Sequence, residues 1–136
     1  MTLIVCLDDR LGMMFNRRRQ SRDRVLIDEL MTHIGKRRLV ISPYSAPLFP
    51  DADHAPNVTV SDDPWSDAGE EDFVFAEDID PVAAWERLTE VVIYRWNRVY
   101  PADRHFKGDL TKLRLCETKE FVGSSHEKIT KEVWKL

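Results

Sequence analysis

Short apolar runs recur along the chain, and residues that favour turns separate them. The first run, residues 3–7, ends at Asp8-Asp9-Arg10 and predicts a buried strand. At Gly12, in the turn that follows, we expect either a positive φ or tight packing. Further runs predict strands at residues 39–42, 57–61, 73–76, 91–94 with a continuation to Trp96, 113–121 and 129–134. The last two flank Gly123-Ser124-Ser125-His126 and therefore predict a hairpin.

Three segments between these runs have helical features. Residues 23–32 form the clearest one, because Ser21 or Asp23 can cap its start and Gly35 can end it. Its apolar residues lie on one broad face: Val25, Leu26, Leu30 and Ile34. Asp63-Pro64 and Asp80-Pro81 each place a capping residue before a proline, which predicts a short helix after residue 63 and a helix over residues 82–88.

This order of elements predicts an α/β fold, with a mixed, mainly parallel sheet and an antiparallel C-terminal hairpin, in a single domain over residues 1–136. Apolar residue types make up 43% of the chain, enough for a core without metal or disulfide. We expect Cys6 and Cys116 to be buried free thiols. His33 and His54 have no ligand spacing, so we expect no metal. The first apolar run is too short for the core of a signal peptide, and no run reaches the ~20 apolar residues that a membrane span needs, so we expect a cytoplasmic location without membrane contact.

Charge is distributed unevenly along the sequence. Residues 51–80 contain eleven acids and no Lys or Arg, whereas residues 10–24 contain six arginines and one acid. The acidic segment would repel nucleic acid, so that partner is not favoured. The arginines either pair across the fold or hold an anion such as a phosphate, because a guanidinium group presents a planar fork of donors. The candidate anion ligands in this basic loop are Arg17, Arg18 and Arg19.

Both ends of the chain resemble dihydrofolate reductases. These enzymes open with an apolar strand and an Asp-containing turn with a Gly-Met step and a nearby Asn, as residues 4–16 do here, ending at Asn16. They close with an aromatic residue before a loop and then a two-strand hairpin, matched here by residues 100–106, 115–121 and 129–134. The resemblance covers nearly the whole chain. It implies a dihydrofolate reductase-like fold and a pterin or nucleotide ligand.

The chain departs from this family on the cofactor side. The family's phosphate-binding helix start is replaced by Ser42-Pro43-Tyr44-Ser45, and proline removes a backbone N–H donor. The family's paired glycines are replaced by Glu77 and Asp78, whose carboxylates would repel a pyrophosphate. The chain is also shorter by about one strand in its middle. We therefore expect NADPH to bind weakly or not at all, and the sequence assigns no other cofactor.

The substrate side differs as well. The family protonates its pterin with a carboxylate on the first helix, and Asp23 is the nearest candidate, although an alignment gap equally selects Asp28. Asp23 also suits a helix cap. The family's Trp before the acid is replaced by Arg17-Arg18-Arg19-Gln20, which makes the expected pocket more cationic.

Two further polar clusters follow predicted strands. Trp96, with Asn97 and Arg98, suits the stacking of a heterocycle whose phosphate meets the arginine, or else plain packing of Trp96 on the sheet. His105 and His126 suit an acid–base pair.

The sequence therefore favours a diverged dihydrofolate reductase-like protein that binds a small anionic heterocycle, with reductase activity as one option. The alternatives are a metal-independent ribonuclease or phosphodiester hydrolase, and a non-enzymatic interaction protein. The sequence decides neither catalysis nor oligomeric state. The candidate catalytic residues are Asp23, His105 and His126, and the candidate ligand-binding residues are Asn16, Arg17, Arg18, Arg19, Trp96, Asn97, Arg98, Ser124 and Ser125.

Overall fold

The computed structural model describes residues 1–49 and 56–136. His54, and Asp51 and Asp53 of the acidic segment, lie outside the described residues. The strands are β1 (Thr2–Leu7), β2 (Gly12–Phe15), β3 (Arg18–Arg19), β4 (Leu39–Ile41), β5 (Val58–Val60), β6 (Phe73–Phe75), β7 (Glu90–Arg95), β8 (Arg104–His105), β9 (Arg114–Phe121) and β10 (Ile129–Lys135). The α-helices are α1 (Arg24–Ile34) and α2 (Pro64–Asp67), and 3-10 segments cover Ala46–Leu48, Pro81–Arg87 and Leu110–Lys112.

Seven strands form one mixed sheet in the order β5-β4-β6-β1-β7-β10-β9. The pairs from β5 to β7 are parallel, whereas β10 runs antiparallel to both β7 and β9. The chain is therefore α/β with a mainly parallel sheet and an antiparallel C-terminal hairpin, as the sequence predicted. All seven predicted strands belong to this sheet, and their ends agree to within about two residues.

Side chains alternate between the two faces of the sheet, as the pleat of a strand requires. On β1, Leu3, Val5 and Leu7 pack into one core together with Met13 and Phe106. Ile4 points to the other face, where the second core contains α1. The α1 residues buried there are Leu26, Leu30 and Ile34, three of the four residues of the predicted apolar face, whereas Val25 is only partly buried.

Helix α1 starts and ends where its capping residues predict. The side chain of Asp23 accepts a hydrogen bond from the N–H of Leu26, so Asp23 is the N-cap. At the other end Gly35 adopts a φ of 63°, a conformation that costs glycine little.

A second sheet has the order β3-β2-β8, and the sequence did not predict any of its three strands. Its strands have two to four residues, too short for a hydrophobic period to identify. Gly12 opens β2 in a tight position: an added Cβ would lie 2.7 Å from Ala102 Cβ and 3.0 Å from Asp8 Oδ1. Tight packing, rather than a positive φ, is therefore the reason for glycine here.

Two expectations need correction. Cys116 is exposed rather than buried, because β9 is an edge strand, and Cys6 is partly buried; both thiols are free. The segment predicted as a helix over residues 82–88 is the 3-10 segment Pro81–Arg87. In the part of the chain that is described, no helix is long and apolar enough to cross a membrane.

Candidate functional site

The polar loops of the protein meet at one edge of the main sheet. Strands β1, β4, β6 and β7 are parallel, so their carboxyl ends share that edge. The loops that follow them carry most of the candidate residues, and the N-terminus of α1 and the β9–β10 hairpin loop lie beside them. In open α/β sheets this edge is where ligands bind.

Asp23 is the centre of a buried hydrogen-bond cluster. Besides the N–H of Leu26, its carboxylate accepts the N–H groups of Ser124 and Ser125 at 2.9 and 2.8 Å, and it lies 2.9 Å from Nδ1 of His126. Burial opposes ionisation of Asp23, but these hydrogen bonds outweigh it and hold its pKa well below the ordinary value. The ionised carboxylate can only accept, so Nδ1 of His126 carries the donated proton.

The imidazole ring of His126 is buried, and protein side chains contact both of its nitrogens and its face. Its Nε2 lies 3.0 Å from Ser21 Oγ and 3.1 Å from Tyr100 Oη, and its ring stacks on Trp96 at a centroid distance of 4.5 Å. Its side chain is 2% exposed. Both ring nitrogens therefore have protein partners, and the imidazole ties the hairpin loop to α1.

A narrow cavity lies next to this cluster. Its lining includes Cys6, Gln20, Asp23, Glu77 and Trp96, and its volume is about 20 Å³, room for one water molecule. Among the described residues, Gln20 Oε1 is a buried oxygen without a hydrogen-bond partner, which a water would satisfy. Burial, with Glu77 nearby, raises the pKa of the Cys6 thiol well above its usual value, so Cys6 is not a thiolate nucleophile near neutral pH.

An internal ion pair fills the position where the family resemblance places cofactor phosphates. Arg19 donates to both carboxylate oxygens of Glu77, at 3.0 and 3.2 Å, and Ser45 Oγ donates to the same carboxylate at 2.7 Å. The Arg19 guanidinium also lies over the ring of Tyr44, 4.6 Å from its centroid. Here the basic and the acidic segments of the sequence meet, which supports pairing across the fold for Arg19.

A larger cleft of about 470 Å³ lies beside Tyr44 and Asp78. Arg104 Nη1 donates to the carbonyl of Asp78 at 2.7 Å, and Asp103 accepts the N–H of Asn16 at 3.0 Å. Its volume falls in the range of small-molecule sites. The lining combines two cations, two carboxylates, an aromatic ring and a thioether: Met14, Arg17, Tyr44, Asp78, Asp103 and Arg104.

Arg17 reaches this cleft from a strained turn. Phe15 pairs with Arg18, so Asn16 and Arg17 form a two-residue hairpin turn, with φ of 51° and 61°. Such turns prefer Asn followed by Gly, because both residues need positive φ. Asn16 fits that preference and Arg17 does not. Arg17 is exposed and has no hydrogen-bond or ion-pair partner among the described residues.

The structure brings some of the sequence candidates together and separates others. Asp23, Trp96, Ser124, Ser125 and His126 share the buried cluster, with Arg19 along the narrow cavity. Arg17 lines the larger cleft and Asn16 binds one of its carboxylates. Arg18, Asn97, Arg98 and His105 line neither cavity.

The two histidines do not form a common acid–base site. His105 is exposed on β8 opposite Gly12, whereas His126 is buried with both nitrogens engaged. Asn97 acts as a local anchor, because its amide donates to the carbonyl of Lys128 and to Thr130 Oγ1. Asp28, the other possible carboxylate, is exposed on α1.

Several residues of the site lie outside the set that the sequence selected. Ser21, Gln20 and Tyr44 are single polar residues in loops and Arg104 lies on the two-residue strand β8, and no motif surrounds any of them. Their only signal is position: each lies within a few residues of a strand end or helix start. No group of three or more His, Cys, Asp or Glu side chains suited to a metal ion occurs in residues 1–49 and 56–136.

Compared with models of known protein families and with curated protein sequences, the chain matches none.

Proposed function

We propose that this protein is a dihydrofolate reductase-like binding protein for a small anionic heterocycle, a pterin or a nucleotide. The ligand occupies the cleft lined by Arg17, Tyr44 and Arg104. The observation that carries the proposal is the position of that cleft: its lining residues come from the segments that follow the carboxyl ends of β1, β4, β6 and β7, with Met14 on β2 and Arg104 on β8.

The charges in the cleft support an anionic ligand with a polar ring. Arg17 has no protein partner among the described residues, and Arg104 uses one donor on the carbonyl of Asp78. Both therefore have donors for a carboxylate or phosphate group. The carboxylates of Asp78 and Asp103 would accept ring N–H groups, and Tyr44 offers an aromatic surface for stacking.

The residues do not fit NADPH, the cofactor that the family resemblance implies. Glu77 and Asp78 follow β6, and their carboxylates already accept the hydroxyls of Ser45 and Ser42. A pyrophosphate there would meet two negative charges, and the nearby guanidinium of Arg19 is held by Glu77. Binding, rather than hydride transfer from NADPH, is therefore the proposed activity.

The buried acid also favours binding over reduction. A carboxylate offers about four lone-pair sites, and Asp23 already has four hydrogen-bond partners in the folded protein. It could contact a substrate ring only by releasing one of them. No observation favours the phosphodiester hydrolase, since His126 is buried and His105 lies outside both cavities.

Calorimetric titration tests the proposal with dihydrofolate, folate, and purine and pyrimidine mononucleotides as ligands. At least one is expected to bind the wild type, and Arg17→Gln to weaken that ligand by about tenfold, the effect of one charge-assisted hydrogen bond worth ~1.5 kcal/mol. Arg114→Gln, at the start of β9, is the matched control and should bind as the wild type does.

Two results would overturn the proposal. One is that no folate, pterin or nucleotide binds. The other is that Arg17→Gln, Arg104→Gln and Arg114→Gln all bind the ligand equally, which would place the site elsewhere.

A further inference from the structure

The last strand of the main sheet has an unpaired edge. In the described residues β9 pairs with β10 alone, and a β-bulge at Cys116 interrupts this pairing. The outer edge of the regular stretch, residues 117–121, therefore faces no other strand. Residues 114–120 are all exposed. Long exposed edges are rare in monomers because they bind other strands.

The charges along β9 match a second copy of the same strand. Two copies of a strand can pair antiparallel about a two-fold axis normal to the sheet. Directly opposite residues then point to the same face, and because side chains alternate between faces, the axis must lie where one residue opposes its own copy. An axis at Glu117 would oppose two glutamates, and an axis at Lys119 would oppose two lysines. An axis at Thr118 opposes Glu117 of each copy to Lys119 of the other.

The available side chains are suited to this register. Glu117 has no hydrogen bond or ion pair among the described residues, and Lys119 is 54% exposed with only a 3.9 Å contact to Glu29. Cross-strand pairs of opposite charge stabilise an antiparallel sheet, and like charges directly opposite destabilise it.

We propose that the protein forms a homodimer by antiparallel pairing of β9 with β9 of a second copy, in the register centred on Thr118. The two seven-stranded sheets then join into one continuous sheet. The charges on β9 favour this register, because it pairs Glu117 with Lys119 twice, whereas registers centred on Glu117 or Lys119 place like charges together.

Charge exchange tests both the dimer and its register. Light scattering coupled to gel filtration should give the wild type a molar mass of twice 15.9 kDa at high concentration. Glu117→Lys alone places lysines opposite each other, and Lys119→Glu alone places glutamates opposite each other, so each variant should have the monomer mass. The double variant restores opposite charges and should be a dimer again.

Mixing the two single variants gives the decisive measurement. Glu117→Lys carries lysine at both positions and Lys119→Glu carries glutamate at both, so the mixture should form a heterodimer although neither variant dimerises alone. Loss of folding in a variant cannot produce this result. Glu86→Lys, an exposed substitution in the 3-10 segment Pro81–Arg87, is the control and should leave the dimer intact.

A covalent probe tests the symmetry axis independently. In a Cys116→Ser background, Thr118→Cys places two thiols directly opposite each other and should cross-link to a dimer under mild oxidation. A wild-type protein that remains monomeric at all concentrations would overturn the proposal. A dimer that both single charge variants retain would equally overturn it.

Discussion

The imidazole Nδ1 of His126 lies 2.9 Å from the carboxylate of Asp23, although 103 residues separate them in the sequence. This contact joins the N-terminus of α1 to the loop between β9 and β10. With Trp96 stacked on the imidazole, it fixes the hairpin against the carboxyl edge of the sheet. The narrow cavity, which Asp23 and Trp96 line, therefore depends on this contact for its shape.

Removing the Asp23 carboxylate should destabilise the protein strongly. Asp23→Ala leaves three backbone N–H groups and the imidazole without their acceptor, so we expect a loss of about 3 kcal/mol in the free energy of unfolding. Asp28→Ala, an exposed substitution on the same helix, should change it by less than ~0.5 kcal/mol. Urea denaturation measures both variants, and equal effects would show that Asp23 is an ordinary helix cap.

The same carboxylate predicts a pH dependence. The pKa of Asp23 is lower in the folded protein than in the unfolded chain, so the unfolded state binds the proton more readily. The stabilisation is thus complete above the unfolded pKa of about 4 and is lost as pH falls below it. The difference in unfolding free energy between wild type and Asp23→Asn should shrink below that pH. A difference that stays constant down to strongly acidic pH would contradict the ionised state of Asp23.

Gly12 should tolerate no side chain. A Cβ there would approach Ala102 Cβ to 2.7 Å, and neither a backbone-attached carbon nor the hydrogen-bonded Asp8 can move away without cost. We expect Gly12→Ala to destabilise the protein by about 1–3 kcal/mol, as overpacking does. Gly69→Ala is the control, because its Cβ would meet only Asp72 Oδ2 at 3.6 Å. Thermal denaturation that ranks the two variants the other way would refute this packing.

Replacing Arg17 with glycine should stabilise the fold and weaken ligand binding. Glycine adopts the positive φ of this turn position without strain, so Arg17→Gly should stabilise the fold by up to about 1 kcal/mol. The same change removes a cation from the larger cleft and should weaken the ligand found for the wild type. Arg18→Gly, in the extended backbone beside it, should instead lose stability. A destabilised Arg17→Gly variant would show that the arginine side chain supports the fold rather than a ligand.

NADPH should bind weakly or not at all. Glu77 and Asp78 occupy the loop after β6, and Arg19 is engaged by Glu77. Fluorescence titration of NADPH should therefore show no saturation in the low micromolar range. Saturation in that range would place the cofactor away from this loop and restore reductase as the leading activity.

The sequence by itself determined the local elements. Short apolar runs separated by turn residues located the seven strands of the main sheet. Asp23, Asp63 and Asp80 marked the starts of the helical segments. These features depend on residues close in the chain, where hydrophobic period and capping hydrogen bonds act directly. The sequence also showed the cluster of arginines in the basic loop. It left open whether these arginines form ion pairs across the fold or bind an anion.

Only the tertiary structure decided which of these elements meet. Asp23 finds its partners about one hundred residues away, and Arg19 finds Glu77 fifty-eight residues away. Cys116 was predicted to be buried because cysteine is among the residues most often buried, yet sheet order places β9 at an edge. Burial, ion pairing and cavity shape depend on contacts between distant segments, and a local pattern carries no information about them.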